Sequence, residues 1–166
     1  PPGPELEELE MDVNEMQRML EAYLDFAKGA GSESAAQIDL SALLSQIQSE
    51  AERHGHSCAV TVVGNPLVTV RPDAFKRLLV NLVSNAQRYS QKVEVSARHE
   101  GRFLFVDVDD DGPGIPANAR EDVFRPFFRL DEARTLDGSG TGLGLAIARD
   151  IARITSSPVR PWSPLR

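Results

Sequence analysis

Apolar residues recur at regular spacing along this chain, and their pattern predicts most of its elements. In residues 5–28 they fall alternately three and four positions apart, which is the seam of a helix in a bundle or coiled coil. The seam residues are Leu6, Leu9, Val13, Met16, Leu20, Tyr23 and Ala27. One helix cannot bury such a seam alone. We therefore expect it to pack in a helical bundle, the alternative being a helix packed on its own domain.

Shorter helices and strands are predicted after a small, polar linker at residues 29–37. Apolar stripes predict helices at 40–54, 72–90 and 143–154. Strand-like runs at 58–63 and 67–70 flank Gly64-Asn65-Pro66 and predict one hairpin, and runs at 92–98 and 103–109 predict a second. The elements do not follow a regular βαβ order, which indicates an α+β fold. We expect a two-layer α/β sandwich with a mixed, mainly antiparallel sheet, preceded by the long bundle-type helix.

Composition narrows the classes of function. The 166 residues carry a net charge of −7, which argues against a nucleic-acid partner or direct contact with an anionic membrane. No apolar run approaches the ~18 residues that a membrane helix needs. The single cysteine, Cys58, cannot form an internal disulfide and lies among small apolar residues, so we expect a core position and a cytoplasmic protein.

The helix predicted at 72–90 carries a polar stripe beside its apolar one. Its members are Asn81, Asn85, Arg88 and Tyr89. Asparagine is a mediocre helix former, so two of them one turn apart are there for another reason than helicity. An amide oxygen is a hard ligand that suits Mg²⁺, and Arg and Tyr can contact phosphate or ribose. The alternative is a solvated helix face.

A strand end and a glycine-rich helix start supply two more candidate parts. In "DVDDDGPGIP", Asp110 can accept from an amine such as that of adenine, and Gly112 and Gly114 let a base approach the backbone. The alternatives are a tight turn or a Ca²⁺ loop, although the EF-hand spacing is missing.

In "GSGTGLGLAI", the glycines expose backbone N–H groups at a helix N-terminus, which favours an anion. It is neither a Walker A loop nor a Rossmann fingerprint, and a flexible loop is the alternative. Together the three parts predict a nucleotide site.

These motifs resemble those of bacterial sensor histidine kinases, within the GHKL or Bergerat-fold ATPase superfamily. "NLVSNAQRYS" is similar to the N box, "DDDGPGIP" to the G1 box, "VFRPFFRLDEAR" to the F box and "GTGLGLAI" to the G2 box. The resemblance implies a Bergerat fold and an ATP-binding catalytic domain at residues 38–155. It also implies that residues 1–28 are the second helix of a dimerisation and phosphotransfer domain. The Pro-rich tail at 156–166 departs from the family pattern.

The resemblance also implies a role for each candidate residue, with ATP and Mg²⁺ as cofactors. It assigns Asn85 to Mg²⁺ and Asp110 to the adenine amine. Gly112 and Gly114 would shape the adenine pocket, and a mobile lid would span about residues 117–139, anchored by three phenylalanines (Phe124, Phe127 and Phe128). The remaining nucleotide contacts implied are Asn81, Arg88, Tyr89, Arg129, Gly140, Thr141, Gly142, Leu143, Gly144 and Leu145.

The implied activity is transfer of the γ-phosphate to a histidine and onward to a response regulator. Superfamily members that hydrolyse ATP carry a glutamate one turn before the metal-binding Asn, where this chain has Asn81, and a neutral amide cannot act as a general base. None of His54, His56 and His99 lies in a phosphoacceptor motif, so no catalytic histidine is assigned and this chain is not expected to phosphorylate itself.

The partners expected from the resemblance are a response regulator, the histidine-bearing helix of the dimerisation domain, and a second copy in a full-length homodimer anchored in the bacterial inner membrane. Two other functions stay open at this stage. One is a non-catalytic nucleotide-binding or interaction module that uses the first helix, and the other is an ATPase.

Overall fold

The computed structural model describes residues 33–130 and 141–154, together with Val13, Asn14, Gln17, Leu20, Glu21 and Leu24 of the N-terminal segment. In the two continuous ranges the elements are β1 (Ala36–Asp39), α1 (Leu40–Arg53), β2 (Ser57–Gly64), β3 (Leu67–Val70), α2 (Pro72–Tyr89), β4 (Lys92–Glu100), β5 (Phe103–Asp110) and α3 (Gly144–Ile154). Two short 3₁₀ turns, Ala117–Ala119 and Asp122–Phe124, follow β5. None of the helices described here has the length and apolarity to span a membrane.

The strands form a mixed, mainly antiparallel arrangement, as predicted. In the larger sheet, β4 lies between β2, which is parallel to it, and β5, which is antiparallel. At the middle of this sheet Val95 lies opposite Val60 on one side and Val108 on the other. β1 and β3 form a separate antiparallel pair.

One face of the larger sheet is covered by the helices, which gives the two layers expected. Alternate residues of β4, namely Val93, Val95 and Ala97, are buried, because successive side chains of a strand point to opposite faces. The helices add their apolar stripes to the same core; the buried members include Leu40, Leu44, Ile47, Leu78, Leu79, Val83, Ala86, Ile147, Ala148 and Ile151. Cys58 is buried here as predicted, and burial raises the pKa of its thiol, with a smaller contribution from Glu52.

The hairpin predicted from Gly64-Asn65-Pro66 is wrong. β2 pairs with β4, whereas β3 pairs with β1, so the short joint leads the chain from one sheet to the other. The Asn65 carboxamide accepts the N–H of Leu67, and the Pro66 carbonyl accepts the N–H of Leu40 at the start of α1. These bonds satisfy the backbone of the joint without pairing the two strands it connects.

β1 is an element that the pattern did not predict. It includes Ala36 and Gln37, the last two residues of the expected linker. Only Ile38 of its four residues is partly buried, so the strand has almost no apolar alternation to reveal it. Its position is determined by its partner, because Ala36 lies opposite Val70, more than thirty residues away.

Two further expectations concern apolar stripes. In α3, Leu145 is only partly buried although it belongs to the apolar stripe that predicts this helix, whereas Ala146 and Ala152 are buried. In the N-terminal segment, Val13 and Leu20 are helical and more than half exposed, which agrees with a seam that is not covered by the described part of this chain. The other seam residues, and the tail at 156–166, lie outside the described residues.

Candidate functional site

The polar stripe of α2 begins beside the N-terminus of α3. Asn81 is partly buried, and its Nδ2 has no hydrogen-bond partner among the described residues. A Cβ atom placed on Gly144 would stand 3.8 Å from Asn81 Oδ1. The bare glycine backbone therefore comes close to the Asn81 amide, and a buried amide N–H without a partner is costly unless a ligand or water satisfies it.

The C-terminal end of α2 meets the end of β5. A Cβ placed on Gly112 would stand 2.8 Å from the Tyr89 carbonyl oxygen and 2.7 Å from Asp110 Oδ1. Any side chain at position 112 would displace one of these groups, so this approach requires glycine. The N–H of Gly112 donates to Asp110 Oδ1 at 2.8 Å. Asp110 Oδ2 accepts no hydrogen bond from the residues that the structure describes.

Asn85 lies on α2 midway between these two contacts, one turn after Asn81 and one turn before Tyr89. Eight helical residues rise by about 12 Å, so the two glycine loops meet the same helix about 12 Å apart. Asn85 is partly buried, and its side chain makes no hydrogen bond to the described residues. Along α2 the structure thus places the N-terminus of α3 beside Asn81, an amide at Asn85 and the Asp110 carboxylate beyond Tyr89, and we call this arrangement the elongated site.

The helix-start end of the site is formed by residues 141–145. Gly142 has φ of +67°, and a Cβ there would stand 2.8 Å from the Phe127 carbonyl carbon. The N–H of Phe127 donates to the Gly142 carbonyl at 3.0 Å, and Thr141 Oγ1 accepts the N–H of Leu143 at 3.4 Å. The first N–H groups of α3 have no partner within the helix and attract an anion.

The three consecutive aspartates at the end of β5 have different environments. Burial raises the pKa of the Asp109 carboxyl, reinforced by the charges of Asp107, Glu94 and Asp110. Asp111 accepts backbone hydrogen bonds from Lys92 and Gln91, which hold the pKa of its carboxyl below the usual range. Asp109 is part of an acidic cluster, whereas Asp111 is fastened to the turn after α2.

The remaining candidates lie on α2 or on segments that follow β5 in the chain. Arg88 and Tyr89 are exposed at the end of α2. Gly114 has φ of +71° with open space around it, and Arg129 is partly buried after Phe128. Gly140 lies outside the described residues. The structure thus brings Asn81 to Gly144 and Tyr89 to Gly112, and the ligand contacts of all these residues stay predictions.

The residues present fit a magnesium nucleotide. No cluster of three His, Cys, Asp or Glu residues suited to a metal ion occurs in the part of the chain that the structure describes. Mg²⁺ in nucleotide sites keeps water and phosphate oxygens as ligands and needs only one or two from the protein. The amide oxygen of Asn85 is sufficient for such a site, and the unpartnered Asn81 Nδ2 offers a hydrogen bond beside it.

The three histidines are engaged in local structure. Nδ1 of His54 lies 2.8 Å from the Glu50 carbonyl oxygen at the end of α1, and Nδ1 of His99 lies 2.8 Å from the Asn65 carbonyl oxygen. His56 is partly buried just before β2. None of the three histidines lies on α2, on β5 or in the loops that contribute residues to the elongated site.

Sequence reasoning missed two residues that shape the site. Asp111 was assigned no role, although its carboxylate joins two segments. Phe127 was treated as an aromatic anchor, but it is more than half exposed, and its backbone, at φ of 65°, makes the contact with Gly142. Nothing in the sequence indicated either contact, because each joins segments that are distant along the chain.

Comparison with known families and sequences gives the following similarities. Residues 70–159 match the family described as histidine kinase-, DNA gyrase B- and HSP90-like ATPase. The sensor histidine kinase CpxA of Escherichia coli strain K12 is 36% identical over 151 residues, which is 86% of this chain and 33% of CpxA. The chain therefore spans about a third of that relative's length.

Solved structures show the same likeness. The histidine kinase domain of the E. coli osmosensor EnvZ superposes with a TM-score of 0.55 at 34% identity, covering 76% of this chain and 78% of that one. Full-length ShkA in complex with AMPPNP superposes with a TM-score of 0.66 at 25% identity, covering 83% of this chain and 30% of ShkA. The predicted Bergerat-type fold is confirmed by these similarities.

Proposed function

We propose that this chain, which belongs to the histidine kinase-, DNA gyrase B- and HSP90-like ATPase family, holds Mg·ATP along α2 and presents its γ-phosphate to a histidine. Its relatives identify it as the ATP-binding catalytic domain of a sensor histidine kinase. The observation that supports the binding mode is the pair of contacts along the C-terminal half of α2, where Asn81 near the middle meets Gly144 and Tyr89 at the end meets Gly112.

At the carboxylate end, the proposed role of Asp110 is to recognise the base. Its Oδ1 is held by the Gly112 N–H, which leaves Oδ2 to accept from the exocyclic amine of adenine. Because Gly112 has no side chain, the base can lie against the backbone there. Gly114, at φ of +71° with no atoms within 4 Å of a Cβ position, gives further room.

At the helix-start end, the proposed role of the backbone is to hold the phosphates. α3 begins at Gly144, which lies beside Asn81, and the helix dipole adds to the attraction of its first N–H groups for an anion. When Mg²⁺ is bound, it neutralises charge on the phosphates. Asn85 would supply its protein ligand. Catalysis of phosphoryl transfer depends mostly on such positioning and neutralisation.

Asn81 favours transfer over hydrolysis. A water molecule needs a base to remove its proton, and an amide cannot take that role. The imidazole of a histidine is itself a nucleophile and needs less activation. We therefore infer that the acceptor is a histidine on a dimerisation helix, that the phosphate passes on to a response regulator, and that this chain alone does not phosphorylate itself. The full-length parent would be a membrane-anchored homodimer.

Transfer to an added acceptor tests this function. The chain is incubated with Mg²⁺, ATP labelled on the γ-phosphate and a separate dimerisation domain that carries a phosphoacceptor histidine. We expect an acid-labile label on that histidine, lost in Asn85→Ala and retained in Lys76→Ala, a control on the same helix. Nucleotide binding without any label would support a non-catalytic module. Steady phosphate release without acceptor, abolished by Asn81→Ala, would support an ATPase. Either result contradicts the proposal.

A further inference from the structure

Asp111 joins the turn that follows α2 to the end of β5. Its Oδ1 accepts the backbone N–H groups of Gln91 and Lys92, both at 2.9 Å. Its own N–H donates to the Lys92 carbonyl at 3.3 Å. Two segments almost twenty residues apart are thus held together by three hydrogen bonds centred on one residue.

The groups on either side of this junction belong to the base end of the site. Asp110 precedes Asp111 directly and pairs with Val93 in the sheet, and Gly112 follows it. On the other segment, Tyr89 precedes the bonded N–H of Gln91 by two residues, and its carbonyl lies against Gly112. The distance between Asp110 and the end of α2 is therefore determined by a junction that Asp111 closes.

The Asp111 side chain makes no other hydrogen bond to the described residues. It is solvent exposed and forms no ion pair among the described residues. The lowered pKa of its carboxyl arises first from the backbone N–H of Lys92, so the charged form is the one that the junction stabilises. A carboxylate that accepts two backbone N–H groups holds those two segments in a fixed relative position, because hydrogen bonds to a charged acceptor are stronger than bonds between neutral groups.

We propose that Asp111 is a positioning residue for base recognition: its Oδ1 fastens the turn after α2 to the end of β5, and this sets Asp110 and Gly112 against the nucleotide base. The inference rests on the proposed function, since it assumes that Asp110 receives the base. Asp111 acts through its neighbour and does not itself touch the nucleotide.

Calorimetric titration with Mg·ADP and, separately, with Mg²⁺ and inorganic triphosphate tests this role. Loss of two hydrogen bonds predicts that Asp111→Ala weakens Mg·ADP binding by about tenfold or more, while triphosphate binding stays within about threefold. Asp111→Asn keeps an acceptor Oδ1, so we expect affinity for Mg·ADP within about threefold of the original chain. Circular dichroism shows whether each variant is folded, and Asp107→Asn, on β5, serves as a control.

A double-mutant cycle separates positioning from a general loss of structure. If Asp111 acts through Asp110, the effect of Asp111→Ala on Mg·ADP binding largely disappears in an Asp110→Asn background. Unchanged affinity in Asp111→Ala, equal losses in Asp111→Ala and Asp111→Asn, or an effect that persists in full in the Asp110→Asn background would each overturn the inference. Absence of Mg·ADP binding by the original chain would instead overturn the proposed function.

Discussion

The backbone N–H of Phe127 donates to the carbonyl oxygen of Gly142 at 3.0 Å, and both residues have positive φ, 65° and 67°. A bulky residue in this region of φ is uncommon and is retained only where its surroundings require it. Here the requirement is the close approach of the two backbones. The aromatic segment after β5 and the loop before α3 are therefore held at a fixed distance beside the proposed phosphate end.

Replacement of Gly142 by alanine tests this contact. An added Cβ would stand 2.8 Å from the Phe127 carbonyl carbon, in addition to the strain of a positive φ. Gly101→Ala is the matched control, because Gly101 has φ of +61° with no atoms within 4 Å of its Cβ position. We expect the control to lower the free energy of unfolding by about 1–2 kcal/mol and Gly142→Ala to lower it by more.

Denaturant unfolding measures both variants, and titration with Mg²⁺ and inorganic triphosphate measures the anion site. Triphosphate binding should weaken in Gly142→Ala and stay unchanged in Gly101→Ala. Equal losses of stability with equal triphosphate binding in the two variants would show that the contact with Phe127 has no effect.

Glu33 caps the helix that carries the site. Its Oε1 accepts the N–H of Asp73 at 2.7 Å and its Oε2 accepts the N–H of Ala74 at 3.1 Å, in the first turn of α2. Loss of a helix cap costs about 1 kcal/mol. We expect Glu33→Ala to lower the free energy of unfolding by about that amount, and Glu33→Gln by less. The control is Glu50→Ala, because Glu50 is an exposed carboxylate on α1 whose side chain makes no hydrogen bond to the described residues. If Glu50→Ala lowers the free energy of unfolding as much as Glu33→Ala does, the cap is contradicted.

The raised pKa of the Asp109 carboxyl predicts that the free energy of unfolding depends on pH. Its pKa is raised in the folded chain, chiefly by burial, so the folded state binds this proton more tightly than the unfolded state. Stability from this group is therefore lost as the pH rises from the ordinary carboxyl pKa through the raised one. Asp109→Asn should stabilise the chain at pH 7 by no more than about 0.5 kcal/mol, because Asp109 is only partly buried and solvent screens much of its charge. The gain should fade in acid, and a gain that is constant from pH 7 to pH 4 would contradict this interpretation.

Regular periodicity explains which elements were predictable. The apolar stripe of α2 and the alternation of β4 and β5 are local signals, and the bounds found for these elements lie within two residues of those predicted. β1 has no such signal, because Ile38 alone is partly buried among its four residues. The pairing of β3 with β1 rather than β2 depends on packing between distant segments, which a turn sequence such as Gly64-Asn65-Pro66 does not encode.

The site shows the same division. Asn81, Asn85 and Asp110 could be proposed from the sequence because their residue types are unusual for their positions on a helix or at a strand end. Glu33 and Asp111 were not, since each bonds to the backbone of residues about twenty to forty positions away. A carboxylate that accepts backbone N–H groups has no pattern in the sequence that distinguishes it from a solvated one.

Calorimetric titration with Mg·ATP tests the central proposal most directly. We expect the chain to bind one equivalent, and both Asp110→Asn and Asn85→Ala to lose most of the affinity, about tenfold or more each, because each removes a contact at the base or the metal. Asp107→Asn, the control on β5, should bind like the original chain. Affinity for Mg·ATP that is unchanged in Asp110→Asn or in Asn85→Ala would contradict the role proposed for that residue, and unchanged affinity in both would contradict a nucleotide site along α2.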